Sequence, residues 1–307
     1  MTLVVMAAGM GSRFGGLKQL TPLTDDDELI IDFTVYDAIR AGFNKIIFII
    51  KEENLALFEE TIGARVRKSG IEIGYAFQKQ ELEGDYLVPA ERKKPWGTTH
   101  AVLALGEMDE NFGILNADDF YGYDTLKKLH DFLETAKDSH IAKYCMIGYR
   151  IENTLSENGA VCRGICRVNE KGTLDYIEEN KRVERLASGE IVNTYPDGSV
   201  AQIDQSCTVS MNCFGFTPSV LTHMKPLFER FLEENKEDLS SCELIIPTTM
   251  EMLIADHKCE IRVIPTESVW KGVTYMQDCE PFREFIRLQK ANGLYPKTLW
   301  ENPSFGV

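Results

Sequence analysis

Short apolar runs alternate with amphipathic stretches along this chain. Leu3-Val4-Val5-Met6 is apolar and too short for a helix, so it reads as a buried strand. Residues 30–42 place Ile30, Phe33, Val35, Ala38 and Ile39 in a mixed apolar stripe and end on Gly42, which predicts a helix. Lys45–Ile50 is a second apolar strand, 54–68 a second helix and 71–77 a third strand. Strand, helix, strand, helix, strand is the rhythm of an α/β protein with a largely parallel sheet. Further strands are expected at 112–116, 143–150, 164–168, 207–216 and 260–264, and helices at 125–136, 220–234, 243–255 and 281–292. The polar stretch 186–202 reads as a hairpin insertion over a site. Right-handed crossovers put the segment after the first strand at the carboxyl edge of the sheet, where ligands bind in such folds.

That segment carries the densest candidate chemistry. Ala7, Ala8, Gly9, Gly11, Ser12, Gly15 and Gly16 follow the strand, with Arg13 and Lys18 among or just after them. Glycines let backbone N–H groups approach a ligand, and successive N–H groups make an anion-binding concavity. Two cations added to it suit a polyphosphate. GxxxxGK[ST] is absent, because Gln19 follows Lys18, and GxGxxG fails because Phe14 holds the place of its last glycine. A second cluster closes the strand at 112–116: Asp118 and Asp119, carboxylates of the kind that hold Mg²⁺ together with phosphate oxygens. Capping the next helix is the alternative role, for which Asp124 is better spaced.

Ala7-Ala8-Gly9-Met10-Gly11-Ser12-Arg13, then Lys18, resembles the AAG-x-G-[ST]-R…K signature of the sugar-phosphate nucleotidyltransferases, which include uridylyl- and thymidylyltransferases of hexose 1-phosphates. The resemblance implies a Rossmann-like, GT-A-like α/β fold: a mostly parallel sheet flanked by helices, with a small antiparallel sugar-side subdomain. One domain of 1–307 is expected, with a nucleotide-binding half at 1–150, an acceptor-binding half at 151–280 and a terminal helix and tail at 281–307. By the same resemblance Arg13, Lys18 and Asp118 are catalytic. Ala8, Gly9, Gly11, Ser12, Gln78, Gly97 and Thr98 meet the nucleotide. Gln78 follows the third strand, and its amide matches a uracil or thymine edge. Gly97 and Thr98 belong to a G-T-x-H-A-[VL]-like segment at 97–102, where His100 reads as structural. Gly159, Glu179, Lys181, Asn212 and Trp270 are implied for the acceptor. Mg²⁺ is the implied cofactor, on Asp118. Lys271-Gly272 stands where relatives carry a second acid, so Asp278 is the substitute ligand.

The implied reaction joins a nucleoside triphosphate, UTP or dTTP, to a sugar 1-phosphate and releases pyrophosphate. Only four residues separate Arg13 from Lys18. This spacing resembles the cytidylyl branch and keeps cytidine and a non-sugar phosphate acceptor open. A nucleotide-sugar-dependent glycosyltransferase and a non-catalytic sensor of nucleotides or sugar phosphates are the other classes.

Composition narrows the rest. A net charge of −15 argues against non-specific nucleic-acid binding and requires a local cationic patch or a metal to draw a phosphate. No apolar run reaches the ~20 residues of a membrane span, and no basic leader precedes the first strand, so a cytoplasmic protein is expected. No hexapeptide repeat follows the last helix, which sets aside the β-helix domain of some relatives. Eight scattered cysteines without a CxxC read as buried, reduced thiols. Oligomeric state is not legible.

Overall fold

The computed structural model describes residues 1–9, 22–82, 86–273 and 276–301. Four parallel strands form its spine: β1 (Thr2–Met6), β2 (Lys45–Ile50), β3 (Glu72–Phe77) and β4 (Phe112–Asn116). They lie in the order β4-β1-β2-β3. All five β1 residues are buried, as expected of a parallel strand covered on both faces. Beyond β4 the sheet turns antiparallel. β11 (Thr208–Phe216) pairs with β4, with β6 (Ala142–Arg150) and with β7 (Val161–Val168). β12 (Cys259–Pro265) lies parallel to β6. β8 (Leu174–Arg185), β9 (Ile191–Thr194) and β10 (Val200–Ile203) continue from β7 as an antiparallel meander. A separate two-stranded ribbon joins β5 (Asp119–Phe120) to β13 (Lys271–Gly272). The expected α/β class holds, with its antiparallel portion on the far side of β4.

Helix α1 (Ile30–Ala41) ends in a left-handed Gly42, whose N–H returns to the Ala38 and Ile39 carbonyls. It is buried on nearly every side rather than along one stripe. The outer cover is the segment 295–300, tied to acids on or just before the helix. Tyr295 donates to Asp37 at 2.6 Å, Trp300 to Asp32 at 3.0 Å and the Leu299 N–H to Glu28 at 3.0 Å. The expected helix 54–68 is broken: α2 (Leu55–Phe58) and α3 (Ala64–Val66) flank a π-turn, Glu59–Gly63, with 3-10 turns outside them. Gly63 is tightly enclosed, since a Cβ there would lie 2.9 Å from the Tyr75 hydroxyl and from Glu59.

Helices α4 (Thr98–Leu103), α6 (Ser219–Glu234) and α7 (Ile246–Ala255) contribute to one core cluster, against the face of Val4, Ile114 and Phe216. α5 (Tyr123–Thr135) and α8 (Cys279–Ala291) join α1 in the other. α5 starts at Tyr123 after a left-handed Gly122. Asp124 is therefore in its first turn, not at its cap, and accepts from Lys128 and Thr266. No helix among the described residues is long and apolar enough to cross a membrane. All eight cysteines are free. Cys145, Cys166, Cys213 and Cys259 are buried as expected, but Cys162 is exposed and the other three half-buried.

Candidate active site

The ends of the four parallel strands are in register. Met6 stands beside Ile49 and Asn116, and Ile50 beside Phe77. Three backbone bonds extend the ladder past the strands: Ala7 N–H to Ile49, Gln78 N–H to Ile50 and Ala117 N–H to Met6, at 2.8–3.0 Å. Ala8, Gly9, Gln78 and Asp118 therefore leave the sheet at one carboxyl edge. The chain runs from β1 to β2 on one side and later returns to β4 on the other. The gap between β1 and β4 is thus a topological switch point, the usual ligand crevice of an open α/β sheet. Gly11, Ser12, Arg13 and Lys18 lie outside the described residues.

On the β3 side, Gln78 is buried and its Nε2 donates to the Gly97 carbonyl at 3.0 Å. The same Nε2 lies 3.4 Å from His100 Nδ1. An amide nitrogen only donates, so Nδ1 accepts and the ring carries its proton on Nε2. Burial, assisted by the charge of Arg92, pushes His100 down to about 4, and the ring stacks on Phe228 at 4.9 Å between centroids. His100 is thus a neutral structural group. Both amide hydrogens of Gln78 face protein acceptors, which leaves its Oε1 as the group to meet a ligand.

The 97–99 turn is locked to the segment before α7. Gly97 has φ 100° and sits so close that a Cβ would lie 2.2 Å from the Leu244 carbonyl oxygen. Thr99 N–H donates to that oxygen at 3.1 Å. Ile246 N–H donates to the Thr98 hydroxyl at 2.9 Å, and the Thr99 and Thr249 hydroxyls share a bond of 2.7 Å. Thr98 thus positions α7 with its hydroxyl, whatever its backbone offers a nucleotide.

The two carboxylates after β4 are not equivalent. Asp119 is buried; its Oδ2 accepts from Asn116 Nδ2 at 2.9 Å and from the Tyr121 hydroxyl at 3.3 Å. The Tyr121 hydroxyl also lies 2.9 Å from the Met211 carbonyl and accepts from the Asn116 N–H at 3.1 Å. Tyr121 therefore pins the turn to β11, where the register breaks between Ser210 and Phe214. Asn212 sits in that bulge with φ 56°, a left-handed conformation that an Asn tolerates and that re-aims its side chain out of the strand alternation. Asp118 is half-buried and the more open of the pair.

β13 brings the 270–272 segment directly beside this turn, Lys271 opposite Phe120 and Gly272 opposite Asp119. A Cβ on Gly272 would lie 2.3 Å from the Trp270 ring and 3.1 Å from Asp119 Oδ1. The indole fills the space an acid at 272 would need. Behind it, Arg163 lies 4.6 Å from the Trp270 ring centre and donates to the Thr154 and Cys162 carbonyls. Burial pushes this guanidinium down to about 10. Asp278 accepts from Ser156 at 3.0 Å and Asn158 at 2.8 Å, which ties the loop carrying Gly159 to the start of α8.

On β8, Glu179 and Lys181 are exposed. Glu179 stands opposite Gly164, which stands opposite Ser210, so the row leads across the sheet towards Asn212. Cys162 Sγ donates to Glu179 at 2.7 Å. Of the residues expected to meet an acceptor, Trp270 stands next to the strand that pairs with the carboxylate turn, while Glu179 and Lys181 are exposed on β8.

Oxygen donors suit a hard cation, and Mg²⁺ needs only one or two carboxylates when phosphate and water complete its shell. Asp118 fits that requirement. Among the described residues, the group of three or more close His, Cys, Asp or Glu ligand atoms is His130, Asp131 and Glu134 on α5, not at this turn. Asp119, with one oxygen held by two donors, fits as a support. Tyr121, Asn116 and Arg163 are positions packed or bonded around this turn that sequence patterns did not single out.

The family described as Nucleotidyl transferase matches residues 2–278. Among solved structures, the chain is similar to the inositol-1-phosphate CTP transferase from T. maritima. That pair shares 14% identity, with 94% of this chain and 96% of that chain covered and a TM-score of 0.59. It is also similar to a putative glucose-1-phosphate thymidylyltransferase from Bacillus anthracis in complex with a sucrose, at 12% identity, the same coverage and a TM-score of 0.62. No curated protein sequence matches.

Proposed function

The chain belongs to the nucleotidyl transferase family, and from that premise we propose that it joins UTP or dTTP to a sugar 1-phosphate, forming a nucleoside diphosphate sugar and pyrophosphate. The observation that carries this reading is the shared edge of β1, β3 and β4. It brings the start of the glycine loop, the Gln78–Gly97 pair and the Asp118 turn to one crevice, with Trp270 held beside that turn. Both structural relatives are described as acting on a 1-phosphate, which agrees with it.

In this reading an oxygen of the acceptor phosphate attacks the α-phosphorus. The new P–O bond forms as the bond to the β-phosphate oxygen breaks, and pyrophosphate leaves in line without a covalent enzyme intermediate. Positioning and charge neutralisation carry such transfers. Arg13 holds the leaving β- and γ-phosphates, and Lys18 bridges the two reacting phosphates. Asp118 would hold Mg²⁺, with Asp278 as a second oxygen donor, and the ion would supply charge neutralisation at the phosphates. Gln78 offers Oε1 to an N–H of the base, which uracil and thymine present at N3. Cytosine has no N–H at N3 but carries an amino donor on the neighbouring C4, so CTP belongs in the test. Gly159, Glu179, Lys181, Asn212 and Trp270 face the acceptor.

A matrix of nucleoside triphosphates against phosphorylated sugars and alcohols, read by pyrophosphate release, tests the reading. UTP or dTTP with a hexose 1-phosphate is the expected combination. Lys18→Ala lowers its turnover by about two orders of magnitude or more, the scale of one lost electrostatic contact, and leaves the fold intact. Triphosphate binding with no pyrophosphate release from any combination favours a sensor and overturns the proposal.

A further inference from the structure

Among the described residues two arginines are buried, Arg92 and Arg163, and each lies over an indole. Arg92 is 3.5 Å from the Trp96 ring centre and Arg163 is 4.6 Å from that of Trp270. The two pairs differ in what fixes the ring. Trp96 is fully buried, and its Nε1 donates to the Gln80 carbonyl at 2.8 Å. Trp270 is buried too, but its Nε1 has no hydrogen-bond partner among the described residues. Its ring also lines the cavity beside the carboxylate turn, together with Gly159 and Lys271. An orphaned buried donor is costly, so packing and not a hydrogen bond of its own sets the pose of this indole. Gly272 makes room for it, since a Cβ there would lie 2.3 Å from the ring. Arg163 provides the surface it lies against.

Arg163 is itself rigidly held. Its Nε donates to the Thr154 carbonyl at 3.0 Å and to the Thr154 hydroxyl at 3.1 Å, its Nη1 to the Cys162 carbonyl at 2.6 Å, and its Nη2 to the Thr154 carbonyl. These bonds tie together the two ends of 154–162, the segment that carries Gly159. Burial pushes the guanidinium down to about 10, against the opposing pull of Asp119 and Glu179, so it is cationic at neutral pH. Burying a cation on neutral acceptors is expensive, and an apolar side chain would fill the same space at less cost. What the guanidinium adds is a flat, fixed cation that attracts an aromatic face.

We propose that Arg163 is a positioning residue for the acceptor: it acts through Trp270, fixing the indole face against which the sugar of the acceptor packs. The proposal rests on the sugar 1-phosphate reading above, which pyrophosphate release tests separately.

Arg163→Met removes the charge and the fork. It raises the acceptor KM about tenfold, the scale of a desolvated cation–π contact, and changes kcat and the nucleotide KM less than twofold. Trp270→Leu also raises the acceptor KM, and adding Arg163→Met to it costs less than twofold more, because the two residues act as one unit. Fluorescence reads the ring without turnover. The emission lost on Trp270→Phe belongs to Trp270, and its quenching by acrylamide at least doubles in the Arg163→Met background. An unchanged acceptor KM, a loss that adds in full to that of Trp270→Leu, or unchanged quenching overturns the assignment. So does loss of the fold, read by circular dichroism, in both Arg163→Met and Arg163→Lys, which would make the guanidinium a core staple like Arg92. Absence of pyrophosphate from every combination of substrates sinks the sugar 1-phosphate reading instead, and the quenching then decides alone whether Arg163 fixes the ring.

Discussion

The two sides of the crevice, proposed for the nucleotide and for the acceptor, are built in different ways. Around Gln78 the contacts are buried and largely backbone: Trp96, Thr98 and Thr99 are bonded to residues 244–249, and Gln78 is bonded to Gly97. The loop before them is stapled by Arg92, whose guanidinium donates to the Leu239, Pro95 and Cys242 carbonyls and lies 3.5 Å from the Trp96 ring centre. Across the crevice, Glu179 and Lys181 stand in solvent on a strand whose register slips twice against β7. A base pocket made of buried hydrogen bonds is preorganised and costly to alter. An acceptor surface made of exposed side chains can change with little loss of fold. Substitutions on the two sides should therefore separate stability from specificity.

The largest test of that contrast is Gly97→Ala. The new methyl meets the Leu244 carbonyl, and the backbone is left-handed at that point. Strain of that kind with a displaced buried hydrogen bond should cost at least about 3 kcal/mol. Urea denaturation checks it, and nucleotide binding falls with it. An unchanged midpoint would show that the nucleotide side gives way as readily as the acceptor side, and the contrast fails.

Much of the nucleotide side was legible in the chain because its signals are local. Apolar runs mark β1 to β4, and Gly9 and the acids that follow β4 sit where right-handed crossovers send the strand ends. Asp118 and Asp119 read as a pair, but their division of labour did not, since Asp119 is claimed by Tyr121, which is in turn bonded to Met211 ninety residues away. The helix expected over 54–68 conceals a π-turn, because apolar periodicity does not register one extra residue per turn. What stands beside Gly272 is visible only in space: the Trp270 ring lies 2.3 Å from where a Cβ would be. β8 is not among the strands that the apolar pattern predicts, because its buried positions recur every third residue, at Leu174, Ile177, Asn180 and Val183. The bulges that break its pairing with β7 reset the alternation, and no two-residue pattern survives for a reader to find.

Lys181→Ala sharpens the contrast from the other side. Its side chain is exposed on β8. The variant should raise KM for the phosphorylated acceptor about tenfold, about 1.4 kcal/mol of binding, and should raise the nucleotide KM less than twofold. Because the contact is solvent-facing, the effect shrinks as salt rises. The unfolding free energy stays within about 0.5 kcal/mol of wild type. Steady-state kinetics at two ionic strengths and a denaturation curve decide it. A loss of stability comparable to that of Gly97→Ala would mean that β8 is as tightly integrated as the Gln78 side.

The smallest effect concerns His100. Its folded-state value of about 4 lies below the ordinary 6.5, so between those values the unfolded chain binds the proton more readily. The stability that comes from a neutral His100 is fully present above pH 6.5 and is lost as the pH falls towards 4. Asp32 and Asp37 on α1 act with the opposite sign. Burial raises them to about 6 and about 7, so they favour the folded state at low pH and cost stability as the pH rises from about 4 through those values. The difference between His100→Gln and wild type cancels the two aspartates and isolates the imidazole. The variant's melting temperature should gain on wild type as the pH is lowered from 6.5 to 4.5. Activity tells the complementary half: a ring neutral throughout leaves kcat/KM for the nucleotide without an inflection of its own from pH 5.5 to 8.5. An inflection near pH 6.5 that disappears in His100→Gln would make the imidazole a titrating participant, and the nucleotide side would no longer be a fixed, prebuilt frame.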